Sequence, residues 1–392
     1  MRILQISDSF GASGGLERFI YEFSRRLMDE GHQTTIAAVE RGSTEGWGST
    51  RFDTFQLDPD GRRCLPFAKR WEPDLVVWHA GGGSAPNAAS VVEYYPTVAT
   101  VHGVMCPSGM RLFRDRDEVC TVASGVQCMS RWYLRQCGTS KSPLAALESL
   151  TRHRQVMNAL HRCRRIYAVS KSVQRFLEIE GVSPELVRIF DNTLGDVPAL
   201  PLSQMTYEKH VKLLYVGRLV YEKGVQYLVQ AVRHLSDRGV DVESNIVGDG
   251  WYRGKLEDLA TNLGVEKKVR FQGSVRGKDL EEWYRWSNIV VIPSIWPDPA
   301  PLVVPEARAQ GKPVIVTDVG GLPEWAELMN GIFVSKAADV VSLVTEIERI
   351  VGGGARASQK VFDHTVERMD LLRDIMQMLN QSISGDGVTS CV

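Results

Sequence analysis

Short apolar runs alternate with amphipathic stretches along almost the whole chain. RILQIS, TTIAAV, LVVWHA, TVATVHG, RIYAVS and VRIF are the candidate strands of the first half, and LLYVGRL, ESNIVGDG, VRFQG, IVVIPS and PVIVTD those of the second. Strands that are apolar at nearly every position are buried on both faces, with helices covering them, so the pattern predicts parallel sheets. The segment after the first strand carries the helical period: Leu16, Phe19, Ile20, Phe23 and Leu27 form one stripe.

The alternation restarts once. After VRIFDNTL comes GDVPALPLSQMTYEKH, which lacks periodicity and is broken by proline and glycine, and HVKLLYVGRL then opens a new strand. The expected class is α/β, with two Rossmann-like doubly wound domains facing across a cleft. They would span residues 1–197 and 210–357, joined by a linker at 198–209. A helix over 358–384 would pack back toward the first domain, ahead of a disordered tail at 385–392. Ligands of such sheets sit at the carboxyl ends of strands, which makes the cleft the expected site.

Composition narrows the classes. With 392 residues, 43% hydrophobic, 24% charged and a net charge of −1, the chain reads as an ordinary globular protein with no reason to bind nucleic acid. No apolar run approaches the ~18 residues of a membrane span. The amino terminus, MRILQISDSF, reads as a strand rather than a signal peptide. Seven cysteines without a C-x-x-C pair fit a reducing, cytoplasmic setting better than a disulfide framework.

Chemistry concentrates where strands end. In GRLVYEKG, residues 217–224, Arg218 and Lys223 lie between a strand's carboxyl end and a helix start. Cations are misplaced at a positive helix N-terminus unless an anion joins them. The pair therefore reads as a diphosphate clamp, Arg218 planar and bidentate, Lys223 a point charge, against the plainer reading of two surface cations. The first loop, DSFGASGGLER, offers Gly11, Gly14 and Gly15, whose amides can approach an anion, although many such turns are glycine-rich for steric reasons alone. Gly248, Asp249 and Gly250 follow another strand, with Asp249 a ligand contact or a plain N-cap. His102 ends TVATVHG and is either structural or a cleft residue.

In PSIWPDPAPLVVPEARAQGKPVIVTDVGGLPE, residues 293–324, two carboxylates stand eight apart. Glu306 opens a helix, where its carboxylate can accept both hydroxyls of a ribose. Asp298 lies in a loop stiffened by Pro297, Pro299, Pro301 and Pro305 and is suited to hold a second sugar, with amides of Leu302 and Val303 beside it.

These segments together resemble the retaining glycosyltransferases of the two-Rossmann-domain GT-B architecture, and among them glycosyltransferase family 4. The family's GG-x-E loop is matched by Gly14-Gly15-Leu16-Glu17, its GR-L-x-x-E-K-G loop by 217–224, and its G-x-G by Gly248-Asp249-Gly250. Its E-x7-E, G-x-P-V-I and GG-x-x-E are matched by Asp298 with Glu306, by Gly311 onward, and by Gly320-Gly321 with Glu324. The resemblance implies that Arg218 and Lys223 bind a nucleotide sugar's diphosphate with help from Gly15, and that Glu306 holds the ribose. It implies that Asp298 and His102 lie against the donor sugar, and that the segment ending at Val275 touches the base. Asp298 replaces the family's first glutamate, and Ala300-Pro301 its Phe-Gly, resembling a W-x-E-x-x-P-L-V variant; both read as specificity changes. The cations and helix N-termini would do the work of a metal, so no metal or cofactor is expected, and the substrate would be a nucleotide diphosphate sugar, with UDP-sugars favoured.

Residues 104–149 interrupt the alternation. They hold Cys106, Cys120, Cys128 and Cys137, read as free or buried thiols in preference to a zinc site, and Asp115-Arg116-Asp117, read as solvated surface rather than a metal-binding D-x-D. From 131 to 175 there are ten Lys or Arg and one acid, Glu148. The stretch is either a solvated face or a basic patch for a phosphorylated or lipid-linked acceptor and an anionic membrane surface. The expected acceptor is a hydroxyl of a saccharide, a lipid-linked saccharide or a natural product such as an aminocyclitol. The competing functions are a silent nucleotide-sugar-binding protein and a nucleotide-sugar epimerase on the same architecture.

Overall fold

The computed structural model describes residues 1–11, 14–42, 52–138, 140–190, 192, 210–275, 277–352 and 370–384. The expected linker, the tail and residues 358–369 of the expected last helix lie outside these.

Two parallel sheets carry the fold. The first contains β1 (Arg2–Phe10), β2 (Gln33–Arg41), β3 (Asp53–Gln56), β4 (Leu75–His79), β5 (Thr97–Val101), β8 (Arg165–Ala168) and β9 (Val187–Ile189), in the order β3-β2-β1-β4-β5-β8-β9. The second contains β10 (Val211–Val216), β11 (Val242–Val247), β12 (Val269–Gly273), β13 (Ile289–Ile292), β14 (Val314–Thr317) and β15 (Ile332–Ser335), in the order β12-β11-β10-β13-β14-β15. The strand pairings within both sheets are parallel. Each order runs outward from its first strand and resumes on that strand's other side. The switch points fall between β1 and β4 and between β10 and β13, where crevices open in doubly wound sheets.

The uniformly apolar strands have the expected cause. Successive side chains point to opposite faces. Leu213, Tyr215, Ile289, Val291 and Ile315 pack under Leu228, Val232 and Ile347. Their neighbours Leu214, Val290, Ile292, Val314 and Val316 join a second cluster that is continuous with the core of the first sheet. Each fully buried Leu or Ile contributes about 1.5–3 kcal/mol.

Three features escape the sequence pattern. DTFQ, which forms β3, is a short edge strand with half-exposed positions, and IFVS, which forms β15, is only four residues long. The third is a hairpin in the 104–149 segment, β6 (Leu112–Phe113) with β7 (Glu118–Val119). Met110 and Leu112 of this segment pack on Ile295, Tyr221, Tyr227 and Trp296, so it reaches from the first half of the chain to the second. The helix Leu371–Ser384 lies on the first sheet. Its Asp374 accepts from Arg165 at 3.1 Å and from the Tyr167 hydroxyl at 2.6 Å, and Asp370 just before it pairs with Arg26 at 2.8 Å.

Candidate functional site

The loops that leave β10 and β13 meet at the second sheet's switch point. Gly224 has φ 68°, and a Cβ there would come within 1.8 Å of the Pro293 carbonyl, so only glycine permits the contact. The Ile295 amide donates to the Glu222 carbonyl at 3.0 Å. This contact sets Lys223 against Asp298 in an ion pair, with side chains 15% and 5% exposed. The Ser294 hydroxyl also donates to Asp298, at 3.2 Å, and the Lys223 ammonium lies 5.3 Å from the Trp296 ring centre. Arg218 is different: it is exposed, and its guanidinium has no partner among the described residues.

Glu306 sits in the first turn of the helix Val303–Ala309. It accepts from the Tyr284 hydroxyl at 3.1 Å and pairs with Arg18, from the first domain's helix Gly15–Asp29, at 2.9 Å. A Cβ on Gly15 would stand 3.7 Å from Leu302, so the glycine loop faces this helix start across the cleft. Gly14 is that first helix's N-cap residue and offers no side-chain cap. Pro301, Leu302 and Val303 are half-buried, and Val275 packs on the core shared by both sheets. Gly248 and Gly250 allow backbone packing against the Arg218 loop: Cβ atoms there would fall 1.8 Å from the Gly217 carbonyl and 2.3 Å from the Leu219 carbonyl. Asp249 is exposed, accepts from the Gly250 amide at 2.7 Å and lies 3.7 Å from Arg253, a local arrangement and not the N-cap of the following helix.

His102 stands just past β5, half-buried among Phe19, Phe190 and His79. Its Nε2 lies 3.1 Å from Thr100 Oγ1. Burial pushes its pKa down to about 3, so the ring is neutral at physiological pH.

The segment 104–149 touches the same region, and one expectation is revised in part there. Asp115 and Arg116 are exposed, as a surface reading expects, but Asp117 is half-buried and engaged across the cleft. Its carboxylate accepts from the hydroxyls of Tyr221, at 2.7 Å, and Tyr227, at 2.5 Å, in the second domain, and Tyr221 belongs to the Arg218–Lys223 loop. Asp115 instead pairs with Arg135 at 3.1 Å. Cys106, Cys120, Cys128 and Cys137 line one small cavity with Arg111 and Trp132. Among the described residues no three His, Cys, Asp or Glu side chains converge as a metal site would require. Of the ten cations in 131–175, Arg135, Arg152, Arg162, Arg165 and Lys171 have carboxylate partners. Beside them Val126, Leu134, Leu144 and Leu147 are 54–77% exposed.

The sequence pattern singled out neither Arg18, which reaches Glu306 across the cleft, nor Tyr284, which meets Glu306 from within the second domain. Glu324, noted only as the end of a motif, accepts from the Lys171 and Ser172 amides at 2.9 and 2.8 Å and caps the first domain's helix Lys171–Ile179.

Comparison with known proteins gives consistent matches. Residues 13–193 match the family described as Glycosyltransferase Family 4, and residues 202–360 match Glycosyl transferases group 1. A 2-deoxystreptamine glucosyltransferase of Streptomyces kanamyceticus is 25% identical over 74% of this chain and 70% of its own length. An uncharacterized glycosyltransferase of Methanocaldococcus jannaschii is 44% identical over 123 residues, 31% of each chain. The match to a D-inositol 3-phosphate glycosyltransferase of Corynebacterium glutamicum, at 39% identity, likewise spans only 29% of that protein. An Anabaena structure, HepE in complex with UDP-glucose, superposes with a TM-score of 0.68 at 19% identity over 97% of this chain and 99% of its own. WaaG, a glycosyltransferase involved in lipopolysaccharide biosynthesis, gives 0.61 at 17% identity over 98% and 100%. At such identities these two structures speak for the fold. Among the described residues no helix is long and apolar enough to cross a membrane.

Proposed function

Since the chain belongs to glycosyltransferase family 4, we propose that it is a retaining, metal-independent hexosyltransferase that moves a sugar from a nucleotide diphosphate sugar, UDP-glucose in the first instance, to an acceptor hydroxyl. The observation that carries the reading is the switch-point crevice itself, where Lys223, Asp298 and Arg218, the last exposed and with no ion-pair partner among the described residues, stand on adjoining loops. The UDP-glucose in the Anabaena structure and the glucosyltransferase relative support the choice of donor.

In this reading Arg218 meets the diphosphate first, because of the two cations it is the one with no ion-pair partner among the described residues. Lys223, held in place by Asp298, adds its charge as the C1–oxygen bond breaks and the electron pair leaves with the diphosphate. The acceptor oxygen bonds to C1 on the same face, and its proton passes to the departing phosphate oxygen. Glu306 takes the ribose hydroxyls, exchanging Arg18 for them. The amides of Gly15, Leu302 and Val303 line the donor's path, Gly248, Asp249 and Gly250 support the Arg218 loop, and Val275 flanks the base. Asp298 and His102 border the transferred sugar. Closure of the two domains excludes water.

Exposed Leu134 and Leu144, at 76% and 77%, beside Lys141 and Arg154 favour a lipid-linked saccharide over a free aminocyclitol as acceptor, with the protein touching an anionic membrane surface through 131–175.

The test is a thermal-shift panel of UDP-, GDP-, dTDP- and ADP-sugars with and without EDTA, followed by NMR of the product's anomeric configuration. A shift with one sugar nucleotide that survives EDTA and disappears in Arg218→Ala, with retained configuration, supports the reading. Binding without transfer to any acceptor favours a silent sugar-nucleotide binder. An inverted product removes the retaining mechanism.

A further inference from the structure

A polar chain runs through the otherwise apolar core of the first sheet and ends at His102. Gln5 at the middle of β1, His79 at the end of β4 and Thr100 in β5 are all essentially buried. Gln5 Nε2 lies 2.7 Å from Ser24 Oγ and 2.9 Å from Thr34 Oγ1. Gln5 Oε1 lies 3.0 Å from His79 Nε2, His79 Nδ1 lies 2.9 Å from Thr100 Oγ1, and Thr100 Oγ1 lies 3.1 Å from His102 Nε2.

The proton positions follow from the two ends of this chain. The Ser24 hydroxyl donates its one proton to the Ile20 carbonyl at 2.7 Å, and the Thr34 hydroxyl donates to the Ile3 carbonyl at 3.3 Å. Carbonyls only accept, so both hydroxyl oxygens are left as acceptors, and the Gln5 group facing them must be its NH2. The Gln5 carbonyl oxygen therefore faces His79, whose Nε2 must carry a proton to donate to it. Among the described residues no carboxylate joins the network to balance a charge, and burial holds the His79 pKa well below its ordinary value, so the ring is neutral and Nδ1 is an acceptor. The Thr100 proton then points at His79 Nδ1. That leaves Thr100 Oγ1 able only to accept from His102, so the His102 proton sits on Nε2.

We propose that Gln5, His79 and Thr100 are positioning residues that lock His102 in the Nε2–H tautomer, so that Nδ1, which has no partner among the described residues, is presented as a hydrogen-bond acceptor for a sugar hydroxyl. The role of that acceptor rests on the transferase reading; the tautomer does not. A neutral ring with its only proton engaged by Thr100 accepts a hydroxyl's proton and donates none, which distinguishes a sugar hydroxyl from an ether or phosphate oxygen.

The test is two-bond proton–nitrogen correlation NMR on the full chain labelled with nitrogen-15 histidine, the His102 signals identified by their loss in His102→Ala. The expected wild-type pattern is Nε2 protonated and Nδ1 bare for both His102 and His79. Thr100→Val should let the Nδ1–H tautomer of His102 appear, and Thr100→Ser should preserve the wild-type pattern. With a donor and acceptor in hand, Thr100→Val should lower kcat roughly tenfold with donor KM little changed, and Thr100→Ser should restore it. A proton on Nδ1 of either histidine in the wild type, or one tautomer pattern in both folded Thr100 variants, overturns the proposal. If Thr100→Val does not fold, the wild-type pattern of the two histidines decides alone. Absence of transferase activity in every variant would sink the functional reading and leave the tautomer result standing.

Discussion

Arg18 and Glu306 join the two halves of the molecule at 2.9 Å across the cleft, 288 residues apart in the chain. Their side chains are 62% and 31% exposed, so the pair adds no more than about 1 kcal/mol to stability. In the proposed function it occupies the carboxylate that would take the donor's ribose. Arg18→Ala should therefore change Tm little and leave donor Kd unchanged or tighter, whereas Glu306→Ala should weaken the donor roughly tenfold or more. Calorimetric titration with UDP-glucose measures both. Equal losses in the two variants would mean that Arg18 itself touches the donor.

Lys223 and Arg218 should separate stability from binding. Asp298 is almost fully buried, and Lys223→Met leaves its charge uncompensated, which costs about 3 kcal/mol at the lower end for a pair of this burial. Arg218→Ala removes an exposed side chain without a described partner and should leave Tm unchanged while weakening donor binding. Asp298→Asn should be milder than Lys223→Met, and a double-mutant cycle gives the coupling. A Tm unaffected by Lys223→Met would contradict the pair.

Asp117 tethers the 104–149 segment to the Arg218–Lys223 loop through Tyr221 and to the helix that follows it through Tyr227, and burial together with the carboxylate raises the pKa of both phenols above the ordinary value. Asp117→Ala removes both hydrogen bonds and should cost about 2 kcal/mol. It should also expose the segment to limited proteolysis and raise donor KM, because Tyr221 lies between Arg218 and Lys223. Unchanged proteolysis would mean that the apolar contact of Met110 and Leu112 with Ile295 holds the segment unaided.

His102 predicts a sign for acid unfolding. Its folded pKa, near 3, lies below the ordinary 6.5. Between those values the unfolded chain binds a proton that the native state refuses, so stability falls as pH drops from about 6.5 toward 3 and is flat above 6.5. His79 shifts in the same direction. His210 is raised by its hydrogen bond to Glu243 and works in the opposite sense. Urea midpoints against pH for wild type and His102→Gln isolate the contribution, and the variant's curve should be shallower below pH 6.5. Parallel curves would remove it.

Leu134→Asp with Leu144→Asp should abolish binding to anionic vesicles in sedimentation, with Tm unchanged because both side chains are more than three-quarters exposed. Wild-type protein that ignores such vesicles at low salt would return these leucines to ordinary surface.

Sequence alone determined the parallel strands, the restart near residue 210 and the loops that carry Gly15, Arg218, Lys223, Asp298 and Glu306. Each of these is written locally, as a run of apolar residues or a fixed spacing at a strand end, and local backbone geometry follows from local sequence. β3 was illegible because DTFQ lies at the sheet edge with half-exposed positions and carries no apolar run, and β15 closes the edge of the second sheet with Val334 turned out of the core. The identity of each side chain's partner was decided only by the tertiary structure. Lys223 meets Asp298 because β13 lies beside β10, Glu306 meets Arg18 and Asp117 meets two tyrosines because the domains dock, and Gln5 reaches His102 because β1, β4 and β5 are neighbours in the sheet. Hydrogen bonds and ion pairs act over a few ångströms of space, whatever the separation along the chain. The state of a group such as His102 is therefore fixed by strand order, which no single stretch of sequence records.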